Sequence, residues 1–413
     1  MYRVSWKEGY SADGSSKDHN ALFIYIQPWP RVSVPKAELV SRYPEISRTC
    51  AAAMRSCYSS WPAHSLFTDR SVFPESEVNR MLKKAVELGH MDIFEHGFLT
   101  WIVEASQREV LNSLMEHRFL YVSEMGADRW LVTATIRSLL DTKGSSNPLL
   151  RELQKYLNEL APWISTQPEQ SQIKQSPKEG YPEGTQVWLL SYTDFASLYG
   201  AVDVDPERLL WHGGFTFSLS GVSRSLTHQL VRHRLAAYSQ QSQRHVAVAK
   251  GRAWYGMPPG ISGAAAEEYR NFMDSAASLY AELLRRGVRK EDARFILPNA
   301  TLTHITMTAT AWEYRRMFSQ RLDPAAQWEI RDVSWAMFSL AYIVLPSIAE
   351  LEDPARSMSD VRDTLRRLLP ILDESRDRFS KASPGDVLEI VLPSDLLSHP
   401  VSAYLIKHRS SRV

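Results

Sequence analysis

The spacing of apolar residues changes period repeatedly along the chain, and each change marks an element. ALFIYIQPWP (residues 21–30) is an apolar run closed by prolines and predicts a strand. EISRTCAAAMRSCY (45–58) is alanine-rich and favours a helix. In ESEVNRMLKKAVELGH (75–90), Val78, Leu82 and Val86 recur every four residues, and Gly89 is placed to cap the helix. FLTWIV (98–103) alternates, setting Leu99, Trp101 and Val103 on one side of a half-buried strand. A helical pattern then runs from Arg108 through Val110, Leu114 and His117, and NPLLRELQKYLNELAPWI (147–164) predicts another helix, stopped by Pro162.

A polar stretch rich in proline and glutamine (165–186) has almost no large aliphatic residues and reads as a linker. After it come strands VWLLSY (187–192) and FTFSLS (215–220), then a helix carrying Val222, Leu226 and Leu230 into Arg232-His233-Arg234. Helical readings follow for residues 264–287, 304–321 and 326–348, and around 361–372, with a last strand VLEIVL (387–392). Strands and helices mixed without a regular βαβ rhythm predict an α+β fold.

A shift of 116 positions lays residues 94–129 on 210–245 without a gap, and eight of the 36 pairs are identical: His96/His212, Gly97/Gly213, Thr100/Thr216, Arg108/Arg224, Leu114/Leu230, His117/His233, Arg118/Arg234 and Ser123/Ser239. Chance gives roughly two, so the chain contains an internal repeat. A shorter echo sets residues 132–135 (VTAT) against 307–310 (MTAT). The 413 residues therefore divide into a first half (1–164), the linker (165–186) and a second half (187–413), each half a small, mostly antiparallel sheet flanked by helices.

Composition narrows the classes. Lys plus Arg at 48 against Asp plus Glu at 47 leave a net charge of +1, so nothing draws the whole chain to nucleic acid or an anionic membrane, and any anion site is a local cluster. No stretch approaches the roughly 20 apolar residues of a membrane span, and the first 20 residues lack an apolar leader core. Two cysteines, Cys50 and Cys57, make neither a disulfide framework nor a cysteine zinc site, and no His, Asp or Glu group has metal-ligand spacing. A reducing cytoplasm is the expected location.

The densest chemical text is SGVSRSLTHQLVRHRLAAYSQQSQRHV (220–246). Arg232, His233 and Arg234 precede a run of hydroxyls and amides closed by Arg244 and His245. Guanidinium forks suit phosphates, and amides and hydroxyls suit the edge of a base. Adjacent residues on a helix point about 100° apart, so the two arginines would fan toward two anionic groups rather than fork one. A solvated basic helix end is the competing reading. His96 and His212, each before a glycine at a strand start, read as structural.

Arg232-His233-Arg234, seven residues and then Ser242 resemble the RHR-x7-S signature of the flavin-dependent thymidylate synthases, and EDARFILP (291–298) and RLDPAAQWEIR (321–331) are similar to later motifs of that family. The resemblance implies FAD against Arg232, His233 and Arg234, and deoxyuridine monophosphate (dUMP) held by Gln229, Arg232, Gln240, Ser242, Arg244, Arg294 and Arg321. Ser242 and Arg321 are the implied catalytic residues. It implies methylenetetrahydrofolate and NADPH as co-substrates, reductive methylation at C5 and no cysteine nucleophile. Two alternatives stay open: the same chemistry on another pyrimidine nucleotide, and a non-catalytic flavin- or nucleotide-binding protein.

Each half lacks what the other keeps. The first half has Arg55-Ser56-Cys57 and Gly89-His90, but Glu116-His117-Arg118 replaces the arginine pair, and Gly126 and Asp128 stand where Ser242 and Arg244 do. An aspartate there repels a dianion. The family's Asn-x-Arg contact to flavin is Thr310-Ala311-Trp312 in the second half, while the first half reads Thr135-Ile136-Arg137. The resemblance thus implies a fused, diverged duplication in which His90 and Arg137 complete a flavin site built on the second half. A homodimer would imitate the family's tetramer.

Overall fold

The computed structural model describes residues 34–161, 163, 184–247, 254–351 and 358–409; the strand expected at 21–30 and most of the linker lie outside them. Strands β1 (Lys36–Arg42), β2 (Leu99–Glu104), β3 (Tyr121–Gly126) and β4 (Arg129–Ala134) form one antiparallel sheet in the order β1-β2-β4-β3. Strands β5 (Thr185–Tyr192), β6 (Gly214–Ser223), β7 (Ala236–Gln240), β8 (Leu302–Thr310), β9 (Val387–Ile390) and β10 (Val401–Ile406) form the other, in the order β7-β8-β6-β5-β10-β9. Within it only β5 and β10 run parallel. With helices packed on both sheets, the protein is α+β.

The repeat is written into the register as well as the sequence. The order β5-β6-β8-β7 is that of β1-β2-β4-β3. A bulge between Leu39 and Ser41 in β1 recurs between Leu189 and Ser191 in β5. Thr100 faces Thr133 across β2 and β4, and Thr216 faces Thr308 across β6 and β8, both with hydroxyls 2.8 Å apart. The short VTAT/MTAT echo is therefore a strand end repeated, and Thr135 and Thr310 each cap the helix that follows.

Two histidines cross between the sheets. His96, from the first half, places Nδ1 2.8 Å from Thr308 Oγ1 and Nε2 2.8 Å from Ser239 Oγ. His212, from the second, places Nδ1 2.9 Å from Thr133 Oγ1 and Nε2 2.9 Å from Ser123 Oγ. Both rings are fully buried, and burial pulls both down to about 3, so they are neutral at neutral pH. Gly97 and Gly213 follow them because no Cβ fits: it would lie 2.5 Å from Ile46 Cγ1 in one case and 2.6 Å from the Phe195 ring in the other.

Two large cores fill the faces of the sheets: one is built from second-half residues alone, and the other draws on both halves. Leu190 and Ile406 from the second half complete the cluster around Trp101, Phe94 and Trp163. A smaller cluster packs Leu131 of β4 against Leu198, Val202 and Leu209, in and after the helix Phe195–Ala201. Residues Pro35–Val413 accordingly make one compact unit.

The chain departs from the sequence expectations in several places. Residues 304–310 are strand rather than helix: threonines at 306, 308 and 310 alternate with Ile305, Met307 and Ala309, the period of a strand, and the helix begins only after the Thr310 cap. Val222 lies in β6, and the helix after it spans only Arg224–Leu230, so Arg232-His233-Arg234 follow the helix instead of riding on it. The helix expected over 147–164 is two short pieces, Pro148–Gln154 and Leu157–Leu160. The strand expected at 187 starts at Thr185, and β1, β3, β4 and β10 had no alternation long enough to announce them.

The crossed histidines set a pH dependence. Between the ordinary histidine value of 6.5 and about 3, the unfolded chain binds a proton on each that the folded chain excludes, so stability falls as pH falls through that window. Urea unfolding at a series of pH values should show this loss. In His96→Asn the slope should be smaller by one proton, about 1.4 kcal/mol per pH unit. An unchanged slope would show that His96 does not carry it.

Candidate functional site

The helix Arg224–Leu230 begins at Ser223, whose hydroxyl accepts from the Leu226 amide while Glu329 takes hydrogen bonds from the Ser223 amide and hydroxyl. Gln327 caps the helix Trp328–Val344 that carries Glu329. The AQWEIR text is thus a clamp on the start of the helix leading to Arg232. At the other end, the Tyr238 hydroxyl lies 2.8 Å from both the Leu230 and His233 carbonyls, closing the turn in which the Arg-His-Arg triplet sits.

Within that turn His233 is buried, and Arg232 and Arg234 are exposed on either side. Neither guanidinium has a hydrogen-bond or ion-pair partner among the described residues. Arg321, at the end of the helix Ala311–Arg321, donates from Nε to His233 Nε2 at 3.1 Å. Burial, with the Arg321 and Arg316 charges alongside, pulls His233 down to about 4, so it is a neutral acceptor there. The Glu313 carboxylate lies 3.9 Å from the opposite ring nitrogen, Nδ1.

A second cluster sits beyond β7. The Ser242 amide donates to the Cys57 carbonyl at 2.8 Å, and the Ser242 hydroxyl accepts from the Arg244 amide at 3.3 Å. Arg244 Nε lies 3.5 Å from Glu291, whose backbone carbonyl accepts from Arg294 Nε at 3.2 Å. Gln240 ties this end back to the helix Arg224–Leu230 through Thr227, at 3.0 Å, and the half-buried Gln229 lies on that helix's last turn. The seven residues between Arg234 and Ser242 contain strand β7, so the motif's spacing is the length of a strand. Five residues at about 3.3 Å each set the two clusters roughly 17 Å apart, a separation for one long ligand or two ligands.

The first half reaches this second cluster directly. The helix Ile46–Cys57 ends against β7, and its terminal carbonyls are met from the other half: Ser56 by His304 Nε2 at 2.9 Å, Cys57 by the Ser242 amide, Ser59 by Gln241 Nε2 at 3.1 Å. The Tyr58 ring lies 5.0 Å from His245 and 6.3 Å from His90. His90 therefore stands beside the Ser242–His245 segment, one aromatic ring away.

Arg137 is placed differently. It pairs with Glu95 and, at 3.1 Å, with Asp141, and no hydrogen bond or ion pair joins it to Arg232, His233 or Arg234. At the positions matching Glu95 and Arg137 in the second half stand Trp211 and Trp312, stacked with centroids 4.0 Å apart. The repeat has kept a contact at this corner and changed its chemistry from ionic to aromatic.

Sequence reasoning missed Glu313, His304 and Tyr58. Glu313 sits eight residues before Arg321 on one helix, a spacing of two turns that was legible; the other two gain meaning only from the opposite half. Among the described residues no helix is long and apolar enough to cross a membrane, and no group of three or more His, Cys, Asp or Glu could hold a metal ion.

The fold and site define an α+β protein of two interlocked, repeated sheets with its arginines gathered at both ends of one short strand. The chain belongs to the Thy1 family, thymidylate synthase complementing protein, which matches over residues 38–141 and 167–347. It is similar to proteins named flavin-dependent thymidylate synthase. That of Pyrococcus furiosus is 45% identical over 135 residues, 32% of this chain and 55% of the relative. That of Geobacter sulfurreducens is 44% identical over 146 residues (34% and 62%), and that of Pyrococcus horikoshii 42% over 186 (40% and 75%). The chain thus spans little more than half the length of the first two relatives.

Cys57 is the last residue of the helix Ile46–Cys57 and is half-buried. Burial pushes its thiol up to about 12, and it bonds to the Ala53 carbonyl at 3.4 Å. Iodoacetamide at pH 8 should label Cys57 at least about a hundredfold faster in urea than in the folded protein, by peptide mass mapping. Equal rates would mean an accessible thiolate.

Proposed function

We propose that the chain is a flavin-dependent thymidylate synthase that converts dUMP to dTMP, with methylenetetrahydrofolate as carbon donor and NADPH as reductant. The observation that carries this reading is the pair of guanidiniums at Arg232 and Arg234, without hydrogen-bond or ion-pair partners among the described residues and flanking a buried neutral His233 in a chain of the Thy1 family. Two arginines whose charges no described residue matches fit the two phosphates of a dinucleotide such as FAD. The flavin, when bound, supplies the redox chemistry.

The protein's own part is to hold, orient and polarise. Arg244, Arg294 and Arg321 supply positive charge to the nucleotide's phosphate and to the pyrimidine oxygen on which charge develops. Gln229 and Gln240 offer amide groups to a base edge, and Ser242 a hydroxyl whose backbone is pinned to Cys57. His90 and Arg137 are the first half's contributions to the flavin. Arg137 is held by two carboxylates, so recruiting it requires a rearrangement of the Glu95 and Asp141 pairs.

The duplicated topology supports a division into halves at 1–164 and 187–413, and a homodimer with four such halves. Met115 and Phe119 flank Glu116-His117-Arg118, and Val231 and Leu235 flank Arg232-His233-Arg234. All four are exposed apolar residues at matched positions, suited to face a second copy. The proposed setting is the cytoplasm.

The test is NADPH oxidation by purified protein with FAD, with and without dUMP and methylenetetrahydrofolate. dUMP-dependent oxidation and dTMP formation are expected, and their absence under all conditions would sink the enzyme reading. Flavin titration should give one FAD per chain. Arg232→Ala should weaken FAD binding at least about tenfold, as loss of a charge-assisted contact does. Unaffected binding in Arg137→Ala would remove Arg137 from the site.

A further inference from the structure

Glu313 and Arg321 lie eight residues apart on one helix, and the His233 ring stands between them. Arg321 Nε donates to His233 Nε2 at 3.1 Å, so Nε2 has no proton there, and in the neutral ring the proton is on Nδ1. Nδ1 faces Glu313 Oε1 at 3.9 Å, a buried carboxylate oxygen with no hydrogen-bond partner among the described residues. The other oxygen, Oε2, lies 3.5 Å from Arg316. The Glu313 amide donates to Thr310 Oγ1 at 3.3 Å, and the Leu235 backbone amide, with Arg316, acts on its carboxylate. The Tyr238 hydroxyl, also close to this corner, is occupied by the Leu230 and His233 carbonyls.

The first half supplies an internal control. His117 matches His233, and Ser138 matches Glu313, each one turn after its capping threonine. No arginine follows at the matched distance, where residue 146 is a serine. There the buried His117 Nε2 has no hydrogen-bond partner among the described residues. The same histidine thus occurs twice, once with an arginine donating to Nε2 and a carboxylate facing Nδ1, and once with Asp141 and Arg137 near enough to act on its charge but no hydrogen bond to Nε2 among the described residues.

We infer that Glu313 is a positioning residue. Acting through His233, it keeps the ring proton on Nδ1, so that Nε2 accepts from Arg321 and sets the direction in which that guanidinium faces. A ring protonated on Nε2 would oppose donor to donor and turn Arg321 away. The inference rests on the reading of Arg321 as a nucleotide-binding residue, and it adds one contact that orients that residue. Glu313 itself touches no substrate.

Two variants test it in the full chain: Glu313→Gln, which keeps an acceptor oxygen, and Glu313→Ser, which installs the residue that the first half carries in the same turn. The first readout is the tautomer of His233 by nitrogen-15 NMR of histidine-labelled protein. The wild type and Glu313→Gln should be protonated on Nδ1, and Glu313→Ser should shift toward Nε2. The second is dUMP affinity by calorimetry, which should fall about tenfold in Glu313→Ser and recover in Glu313→Gln. A wild-type ring protonated on Nε2, or Glu313→Ser binding dUMP as the wild type does, overturns the positioning role. Failure of the wild type to bind dUMP overturns the nucleotide reading instead, and the tautomer result still decides whether Glu313 governs His233.

Discussion

Each half of this protein buries a histidine in the other. His96 reaches the hydroxyls of Thr308 and Ser239, and His212 those of Thr133 and Ser123. A neutral hydrogen bond contributes only about 1 kcal/mol net, but a buried ring nitrogen left unmatched costs about 1–3 kcal/mol. Four such bonds at the centre of the molecule therefore act chiefly as a penalty against separating the sheets. Each half's histidine is satisfied by hydroxyls of the other, so the tie between the repeats is mutual.

The same logic governs the site. The helix Ile46–Cys57 ends with carbonyls that need donors, and His304, Gln241 and the Ser242 amide come from the other half to meet them. The segment that carries Ser242 and Arg244 is thereby fixed by the first half, although every arginine in it belongs to the second. Divergence between the halves has removed charge from one and kept the scaffold in both. The Glu95–Arg137 pair and the Trp211–Trp312 stack occupy matched corners with different chemistry.

Much of this was legible in sequence, for identifiable reasons. The 116-residue echo fell on residues of the crossing network (His96, His212, Ser123, Ser239, Thr100 and Thr216), each of which is buried or half-buried and hydrogen-bonded within it. Gly97 and Gly213 repeat because a Cβ would strike Ile46 and Phe195. The strand Leu302–Thr310 was illegible because its run into a helix has no break, and the change of period is marked only by the Thr310 cap. The Arg-His-Arg triplet was assigned to a helix because Leu226 and Leu230 continue a helical spacing, whereas the helix stops at Leu230, where Tyr238 from the next strand takes its carbonyl.

What the sequence determined by itself was local and periodic: the α+β class, the repeat, the arginine-rich segment and its resemblance to one family. Those follow from residue types at short spacing, where propensity and motif are enough. Tertiary structure decided which histidine meets which hydroxyl, that seven intervening residues measure the length of a strand, and that Arg321 answers to His233 while Arg137 answers to Glu95 and Asp141. Contacts of that kind join residues dozens to hundreds of positions apart. Their energies depend on burial and distance, and neither exists until the two sheets have closed on each other.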